Sequence, residues 1–184
     1  MKMTRMTSMA RRGLLVGALV VVGLSVSEGV GHAEDRWGFG TDLGFMSGTV
    51  NGTVFALGFN ADYYLDRSFS IGPILLLAPV GDLTQIAVAG VARYHFRSRY
   101  VSIVPFAGLG FVHADLDKGT GPGRIDKNDT SHYIPIGLTA EYQATRNLAL
   151  ASTLMFNLHN LNLDLPSGND TLDIALLFGF RFGP

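Results

Sequence analysis

Apolar and polar positions alternate with a period of two along almost the whole chain from residue 36 onward. This period predicts β-strands that have one large apolar face and one small or polar face. Eight such segments occur, and turn-forming residues separate them. They cover residues 36–48, 53–66, 69–80, 85–96, 100–114, 132–143, 148–159 and 172–182. No segment of useful length has helical periodicity, so we predict an all-β fold in which consecutive strands are antiparallel neighbours.

The connections between the segments differ at the two ends of the predicted sheet. Those after the second, fourth and sixth segments are short turns, whereas those after the fifth (115–131) and the seventh (160–170) are long, polar and charged. Short turns at one end and long loops at the other are typical of outer-membrane barrels. We interpret 115–131 as a flexible surface loop. It either contacts lipopolysaccharide or another cell, or is simply solvated.

The two faces of the segments also differ in side-chain size. One face is large and apolar, and its aromatic residues lie near the segment ends. These aromatic residues are Trp37, Phe45, Phe55, Tyr63, Tyr94, Phe96, Tyr142 and Phe182. An eight-stranded barrel is so narrow that only side chains fill it, so we expect the small face to point inward and the large face to contact lipid. The predicted fold is therefore an eight-stranded antiparallel up-and-down transmembrane β-barrel.

The first 33 residues have a different pattern. A basic stretch precedes the apolar run 13–26, and Gly31-His32-Ala33 supplies small residues at a cleavage position. These three parts are typical of a secretory signal peptide. The apolar run is shorter than the roughly 20 residues that a transmembrane helix needs. We therefore predict a signal peptide over 1–33 and a barrel domain over 34–184.

Composition narrows the possible partners. The first 33 residues hold four of the 14 Lys and Arg and one of the 15 Asp and Glu, so residues 34–184 carry 10 basic and 14 acidic side chains. This formal charge of −4 gives no reason to expect nucleic acid as a partner. The chain has no cysteine, which excludes a disulfide-stapled domain and a metal site with cysteine ligands.

Most charges within the segments fall on the small, inward face. If the N-terminus is periplasmic, the even-numbered segments place their inward charges a few residues before the short turns or the chain end. Buried charges have to be paired, so we expect one interior ion network. Its members are Asp42, Asp62, Arg93, His95, Glu141 and Arg181. We interpret it as a filler that fixes the strand register; a gate or proton-sensitive plug that titrates at His95 is the alternative.

Nucleophilic catalysis needs a hydroxyl group, a histidine and a carboxylate within hydrogen-bond reach. His113 and His132 flank the loop 115–131, and we expect them to face each other across the hairpin. Ser131 is the nearest hydroxyl group, but adjacent residues of a strand point to opposite faces. His159 and Ser167 lie at the other long loop without a recognisable spacing. We therefore predict no catalytic residue, no metal site and no cofactor.

Three stretches carry a resemblance to a known family. They are 105–111 (PFAGLGF), 137–150 (GLTAEYQATRNLAL) and the aromatic last segment. With them the chain resembles the small eight-stranded outer-membrane β-barrels of Gram-negative bacteria, the OmpA/OmpX/OmpW-like group. The resemblance implies that Phe178, Phe180 and Phe182 form a C-terminal signal for the barrel-assembly machinery. Members of the group usually end on Phe or Trp, whereas Gly183 and Pro184 follow here.

We therefore expect a non-enzymatic, monomeric outer-membrane barrel with a side-chain-filled interior, which is structural or interacts through its surface. Its expected partners are outer-membrane lipid and lipopolysaccharide. A barrel that binds or passes small hydrophobic molecules is the first alternative. The inward-facing Ile74, Leu76 and Ala78 of the third segment favour it. A lipid A-modifying hydrolase, as some small outer-membrane barrels are, is the third hypothesis.

Overall fold

A computed structural model describes residues 36–49, 52–80, 83–118, 125–161 and 170–183. Eight long strands account for most of these residues. They are β1 (Trp37–Thr49), β2 (Gly52–Tyr64), β3 (Phe69–Val80), β4 (Leu83–Tyr94), β5 (Val101–Lys118), β6 (Ile125–Gln143), β7 (Leu148–Leu161) and β8 (Asp170–Phe182). A two-residue strand, Phe96–Arg97, continues β4 beyond His95 and pairs with β5. In this part of the chain no helix is long and apolar enough to cross a membrane.

The sheet closes on itself. Each strand pairs antiparallel with its neighbours in sequence, and β8 pairs antiparallel with β1. At this closing seam Phe182 lies opposite Phe39 and Phe178 lies opposite Leu43. The predicted eight-stranded antiparallel barrel is confirmed. Closure satisfies the backbone hydrogen bonds of both terminal strands, which a bilayer requires.

The inward and outward faces are those that the alternation predicts. Outward side chains remain exposed all round the barrel, and Leu109 and Phe111 are each 71% exposed. Aromatic pairs lie at both ends of this surface: Trp37 and Tyr63 have ring centroids 5.2 Å apart near the short turns, and Phe45 and Phe55 6.3 Å apart near the loops. So much exposed apolar surface is stable in lipid and not in water.

The predicted loop over 115–131 is largely strand. β5 and β6 continue to pair up to Lys118 opposite Ile125. An antiparallel ladder depends on backbone hydrogen bonds, so polar side chains do not prevent it. Polar cross-strand pairs also support it: His113 Nδ1 lies 2.8 Å from Thr130 Oγ1. The second predicted loop is shorter than expected, since β7 extends to Leu161 and β8 begins at Asp170.

The N-terminal prediction is not tested by the fold. Residues 1–35, which contain the predicted signal peptide over 1–33, lie outside the described residues. The described barrel begins at Arg36, whose carbonyl oxygen accepts a hydrogen bond from Tyr64 N–H at 2.8 Å. This contact extends the β1–β2 pairing by one residue at the short-turn end.

Gly183, to which the pattern gives no role, packs at the closing seam. Its N–H donates to the carbonyl oxygen of Asn147 at 3.3 Å. A Cβ atom at this position would lie 2.8 Å from Gly38 Cα. Such a close approach of two backbones is possible only for glycine, so Gly183 ends β8 against the start of β1.

Candidate functional site

The barrel interior holds a polar group of residues near the short turns, which we call the turn-side polar cluster. All six charged or titratable residues of the predicted ion network point into the barrel at this end, and four uncharged residues join them. The cluster consists of Asp42, Asn60, Asp62, Ser70, Arg93, His95, Thr139, Glu141, Thr153 and Arg181. These residues form two groups of contacts, one around each arginine, rather than a single network.

The first group is built on β2, β3 and β4. The Arg93 guanidinium forms an ion pair with Asp62, and Ser70 Oγ donates to the same carboxylate oxygen at 3.1 Å. His95 Nε2 lies 2.9 Å from Ser70 Oγ. Because the single hydroxyl hydrogen of Ser70 is donated to Asp62, His95 Nε2–H is the donor to Ser70. The buried carboxylate is thus compensated by a cation and a hydroxyl group.

The second group joins β8 to β1, β2, β6 and β7. Arg181 Nη1 donates to Asp42 Oδ1 at 2.8 Å, and Arg181 Nε lies 4.0 Å from Glu141 Oε1. Asn60 Nδ2 donates to the other oxygen of Asp42 at 3.3 Å. Gly40 makes room for these side chains, since a Cβ atom there would lie 2.7 Å from Arg181 Cδ. The contacts of Arg181 therefore connect strands that are not all neighbours in the sheet.

Four residues of the cluster were missed by the sequence interpretation, which considered only charged and titratable side chains. Ser70 lies 2.9 Å from His95, and Thr139 Oγ1 lies 2.9 Å from Thr153 Oγ1. Asn60 binds Asp42 as described above. All four occupy inward positions of the alternation at the level of the predicted charges. Uncharged polar residues on the small face, at the same distance from the turns, were the signal that could have identified them.

A second interior group, the loop-side polar cluster, lies nearer the long loops. It consists of Gln85, Tyr133, Asn157, His159 and Asp173, all of which are buried. Asp173 Oδ2 lies 2.9 Å from His159 Nε2 and accepts from Gln85 Nε2 at 3.2 Å. Its Oδ1 atom has no hydrogen-bond partner among the described residues. Tyr133 Oη donates to Asn157 Oδ1 at 2.7 Å.

The position of His159 corrects the sequence interpretation, which placed this residue at a loop. β7 extends to Leu161, so His159 falls on the inward face two residues after Asn157. His159 is the last residue of the predicted seventh segment, so the alternation itself places it on the inward face, where it is buried beside an aspartate. The other histidine expectation is also wrong. In the observed register His113 lies opposite Thr130 and His132 lies opposite Phe111, so the two histidines do not face each other.

Apolar side chains fill the barrel between the two polar clusters. They include Met46, Val54, Ala56, Ile74, Leu76, Ala89, Val91, Phe106, Met155 and Leu177, each at most 5% exposed. Phe106 fits because β6 has a glycine beside it: a Cβ atom at Gly137 would lie 2.4 Å from the Phe106 ring. The described interior is packed from the turn-side cluster to the loop-side cluster.

The chemistry available to these groups is limited. His159 and Asp173 have the geometry of a base and the carboxylate that orients it. Ser131 Oγ accepts a hydrogen bond from the N–H of Asn160 at 3.0 Å and lies 3.5 Å from Nδ1 of the exposed His132, and Ser167 lies outside the described residues. Within the described ranges no group of three His, Asp or Glu side chains could hold a metal ion.

Comparison with known proteins identifies the fold. No family model and no curated protein sequence matches the chain. Among solved structures, Neisserial surface protein A (NspA) has 17% sequence identity and a TM-score of 0.61; the match covers 83% of this chain and 99% of NspA. Ail, the attachment invasion locus protein of Yersinia pestis, has 11% identity and a TM-score of 0.51, with 79% of this chain and 96% of Ail covered. The chain has the fold of the small eight-stranded outer-membrane β-barrels.

Proposed function

We propose that this chain is a non-enzymatic outer-membrane β-barrel that does not conduct ions and acts through its surface or as a structural element of the membrane. The observation that carries the proposal is the filled interior. Two arginine–aspartate ion pairs close the turn side, a hydrogen-bonded cluster closes the loop side, and apolar side chains pack between them. An eight-stranded barrel has no spare width for a water-filled path beside such side chains.

Planar-bilayer recording tests the proposal directly. We expect no resolvable single-channel steps from the purified barrel, because each ion would have to displace the paired charges of Arg93 and Arg181. Heat-modifiable migration on gels of the same preparation shows whether the inserted protein is folded. Reproducible conductance steps from folded protein would contradict the proposal.

A barrel that binds small hydrophobic molecules is the second candidate, and a feature of the outer wall favours it. A shallow apolar groove of about 920 Å³ crosses β3, β4 and β5 on the outward face. Gly90, Ala92 and Ala107 form its floor, and Ile71 and Ile136 lie at its two sides in the same row of paired residues. The inward face of these strands is apolar as well at Ile74, Leu76 and Val91.

The strand ladders beside this groove are interrupted on both sides. Pairing between β2 and β3 skips Gly72 and Pro73, and pairing between β5 and β6 skips Ile134 and Pro135, although the register is the same before and after each gap. Proline has no N–H to donate, so it weakens a ladder where it stands. Strands β3 to β5 are thus joined to the rest of the barrel by two weakened seams, as lateral entry of an apolar molecule would require.

Energy transfer from Trp37, which lines the groove and is the only tryptophan of the chain, tests this second candidate. A dansyl-labelled fatty acid is the acceptor, in zwitterionic lipid nanodiscs. Ala92→Leu fills the groove floor and should reduce the transfer. Ala140→Leu adds the same side chain at another exposed position outside the groove and should leave the transfer unchanged. Equal transfer in the two variants would exclude binding in the groove.

We also propose that the predicted signal peptide exports the chain to the outer membrane, where its long-loop end contacts lipopolysaccharide. The lipid A-modifying hydrolase of the sequence analysis is the least supported function. His159 and Asp173 are buried inside the barrel, whereas the lipid substrate lies outside it. Mass spectra of lipid A with and without the protein should be identical, and a deacylated or otherwise altered lipid A would establish an activity.

Assembly of the barrel gives a further prediction. Phe182 lies at the closing seam opposite Phe39 and is the last aromatic residue of β8. Phe182→Ala should lower the amount of folded protein in outer-membrane fractions. Leu158→Ala, which shortens an outward-facing side chain on the adjacent strand, serves as the control for lost lipid contact. Equal amounts of the two variants would show that Phe182 is no assembly determinant.

A further inference from the structure

The short-turn end of the barrel opens into a cavity of about 320 Å³. The turns 98–100 and 144–147 form its rim, and the turn-side polar cluster forms its floor. Four arginines line it: Arg97, Arg99, Arg146 and Arg181. We call this cavity the arginine mouth. Its volume is at the lower end of the range of small-molecule sites, large enough for one anionic group with a short attachment.

The arginine mouth carries an excess of positive charge. Asp62 and Glu141 are the two carboxylates among its lining residues. Both are engaged below the rim, Asp62 by Arg93 and Glu141 by Arg181 at 4.0 Å. The ion pairs that the described residues form at this end use those two arginines. The floor holds two arginines and the three carboxylates of Asp42, Asp62 and Glu141. Arg97, Arg99 and Arg146 add three cations, so floor and rim together have a formal excess of two positive charges.

Aromatic rings hold two of the rim arginines in place. The Arg97 guanidinium lies over the Tyr64 ring, 5.4 Å from its centroid, and the Arg99 guanidinium lies 5.3 Å from the centroid of Tyr100. Stacking occupies one face of a guanidinium and leaves its N–H edge available for hydrogen bonds. A stacked arginine also loses less side-chain freedom when it binds an anion, which favours binding.

The turn that carries Arg146 is fixed by hydrogen bonds. Gln143 Nε2 donates to the carbonyl oxygens of Thr145 at 2.8 Å and Arg146 at 3.2 Å. Ala144 N–H and Thr145 N–H both donate to the Leu148 carbonyl oxygen, at 2.9 and 3.0 Å. Asn147 also lines the cavity and has a side-chain amide that can donate to a ligand. Arg146 therefore stands on a closed turn that positions it across the mouth.

We propose that the arginine mouth binds the phosphate group of an anionic ligand. The planar guanidinium fork matches the oxygens of a phosphate group, with which it forms paired, charge-assisted hydrogen bonds. Most residues that line the cavity lie on the short turns or on the inward face of the strands, which favours a soluble phosphate ester over a phospholipid headgroup. The site is independent of conduction, so it stands whether or not the barrel passes ions.

Titration with inorganic phosphate and with glycerol phosphate tests the site, in phosphate-free buffer and a non-ionic detergent, with calorimetry as the readout. We expect saturable binding to the unaltered barrel. The double variant Arg97→Gln with Arg146→Gln should bind about tenfold or more weakly, since it loses charged hydrogen bonds. Arg67→Gln is the matched control, because Arg67 lies on the neighbouring short turn and not in the cavity lining.

Each result of the titration either supports or overturns the site. Lost binding in the double variant and unaltered binding in Arg67→Gln support the site, whereas equal weakening in both variants or the absence of saturable binding overturns it. Heat-modifiable migration shows which variants are folded, and the single variant Arg146→Gln on the exposed turn replaces the double variant if the latter fails to fold. Nanodiscs of phosphatidylcholine with and without phosphatidylglycerol distinguish the source of the phosphate. Competition by phosphatidylglycerol would assign the site to a lipid headgroup. Lack of competition would assign it to a soluble ester.

Discussion

The turn-side and loop-side polar clusters solve the same problem, polar groups inside a narrow barrel, in different ways. The turn-side cluster places a guanidinium against each of two aspartates, Asp42 and Asp62. The loop-side cluster has one buried aspartate, Asp173, which among the described residues meets a histidine and an amide and keeps one oxygen without a hydrogen-bond partner. On the turn side, removal of one member of an ion pair leaves the other charge buried and unpaired. On the loop side the contacts are weaker hydrogen bonds that can rearrange.

Removal of one arginine should have the largest effect. Arg93→Met leaves Asp62 buried with only the Ser70 hydroxyl as a donor, and a buried charge deprived of its partner typically costs about 3–5 kcal/mol. We expect a loss of that order in the free energy of unfolding, measured by urea titration in lipid vesicles with Trp37 fluorescence as the signal.

The double variant Arg93→Met with Asp62→Leu is the control for this prediction. It removes both charges, so it should recover most of the lost stability, since apolar replacements of a buried pair are often neutral. A double variant as unstable as the single variant would mean that packing against Phe106, 5.8 Å from the Arg93 guanidinium, matters more than charge.

A hydrogen-bond deletion on the loop side should have an intermediate effect. Tyr133→Phe removes the donor to Asn157 Oδ1 and leaves a buried acceptor unsatisfied, which costs about 1–3 kcal/mol. The same urea titration measures it. Tyr142→Phe, an exposed tyrosine on the outward face of the same strand, should leave the stability nearly unchanged. Equal effects would remove the distinction between the buried cluster and the surface.

The sequence predicted the barrel and the positions of the turn-side charges because period two determines which face each residue occupies. It predicted neither the division into two contact groups nor the loop-side cluster. Those depend on strand tilt and on the register of distant strands: Gln85 and Asp173 are 88 residues apart and meet across the interior. The length of the β5–β6 hairpin was also missed, because its polar residues resemble a loop although their backbones pair.

We expect the smallest change in the free energy of unfolding at Asp173. This position also tests most directly whether the two polar clusters differ. Asp173→Asn removes a buried charge without changing the size of the side chain. Gln85 Nε2 and His159 Nε2 both contact Oδ2 of the carboxylate, so an asparagine whose amide oxygen takes the place of Oδ2 can still accept from both. We expect the free energy of unfolding to change by less than about 1 kcal/mol, because one carboxylate oxygen has no partner to lose.

Asp62→Asn, the matched change on the turn side, should cost more, since it leaves the Arg93 guanidinium buried without a counter-charge. If the two variants are equally destabilised in the same urea titration, the carboxylate of Asp173 is as well compensated as that of Asp62, and the two clusters do not differ in kind.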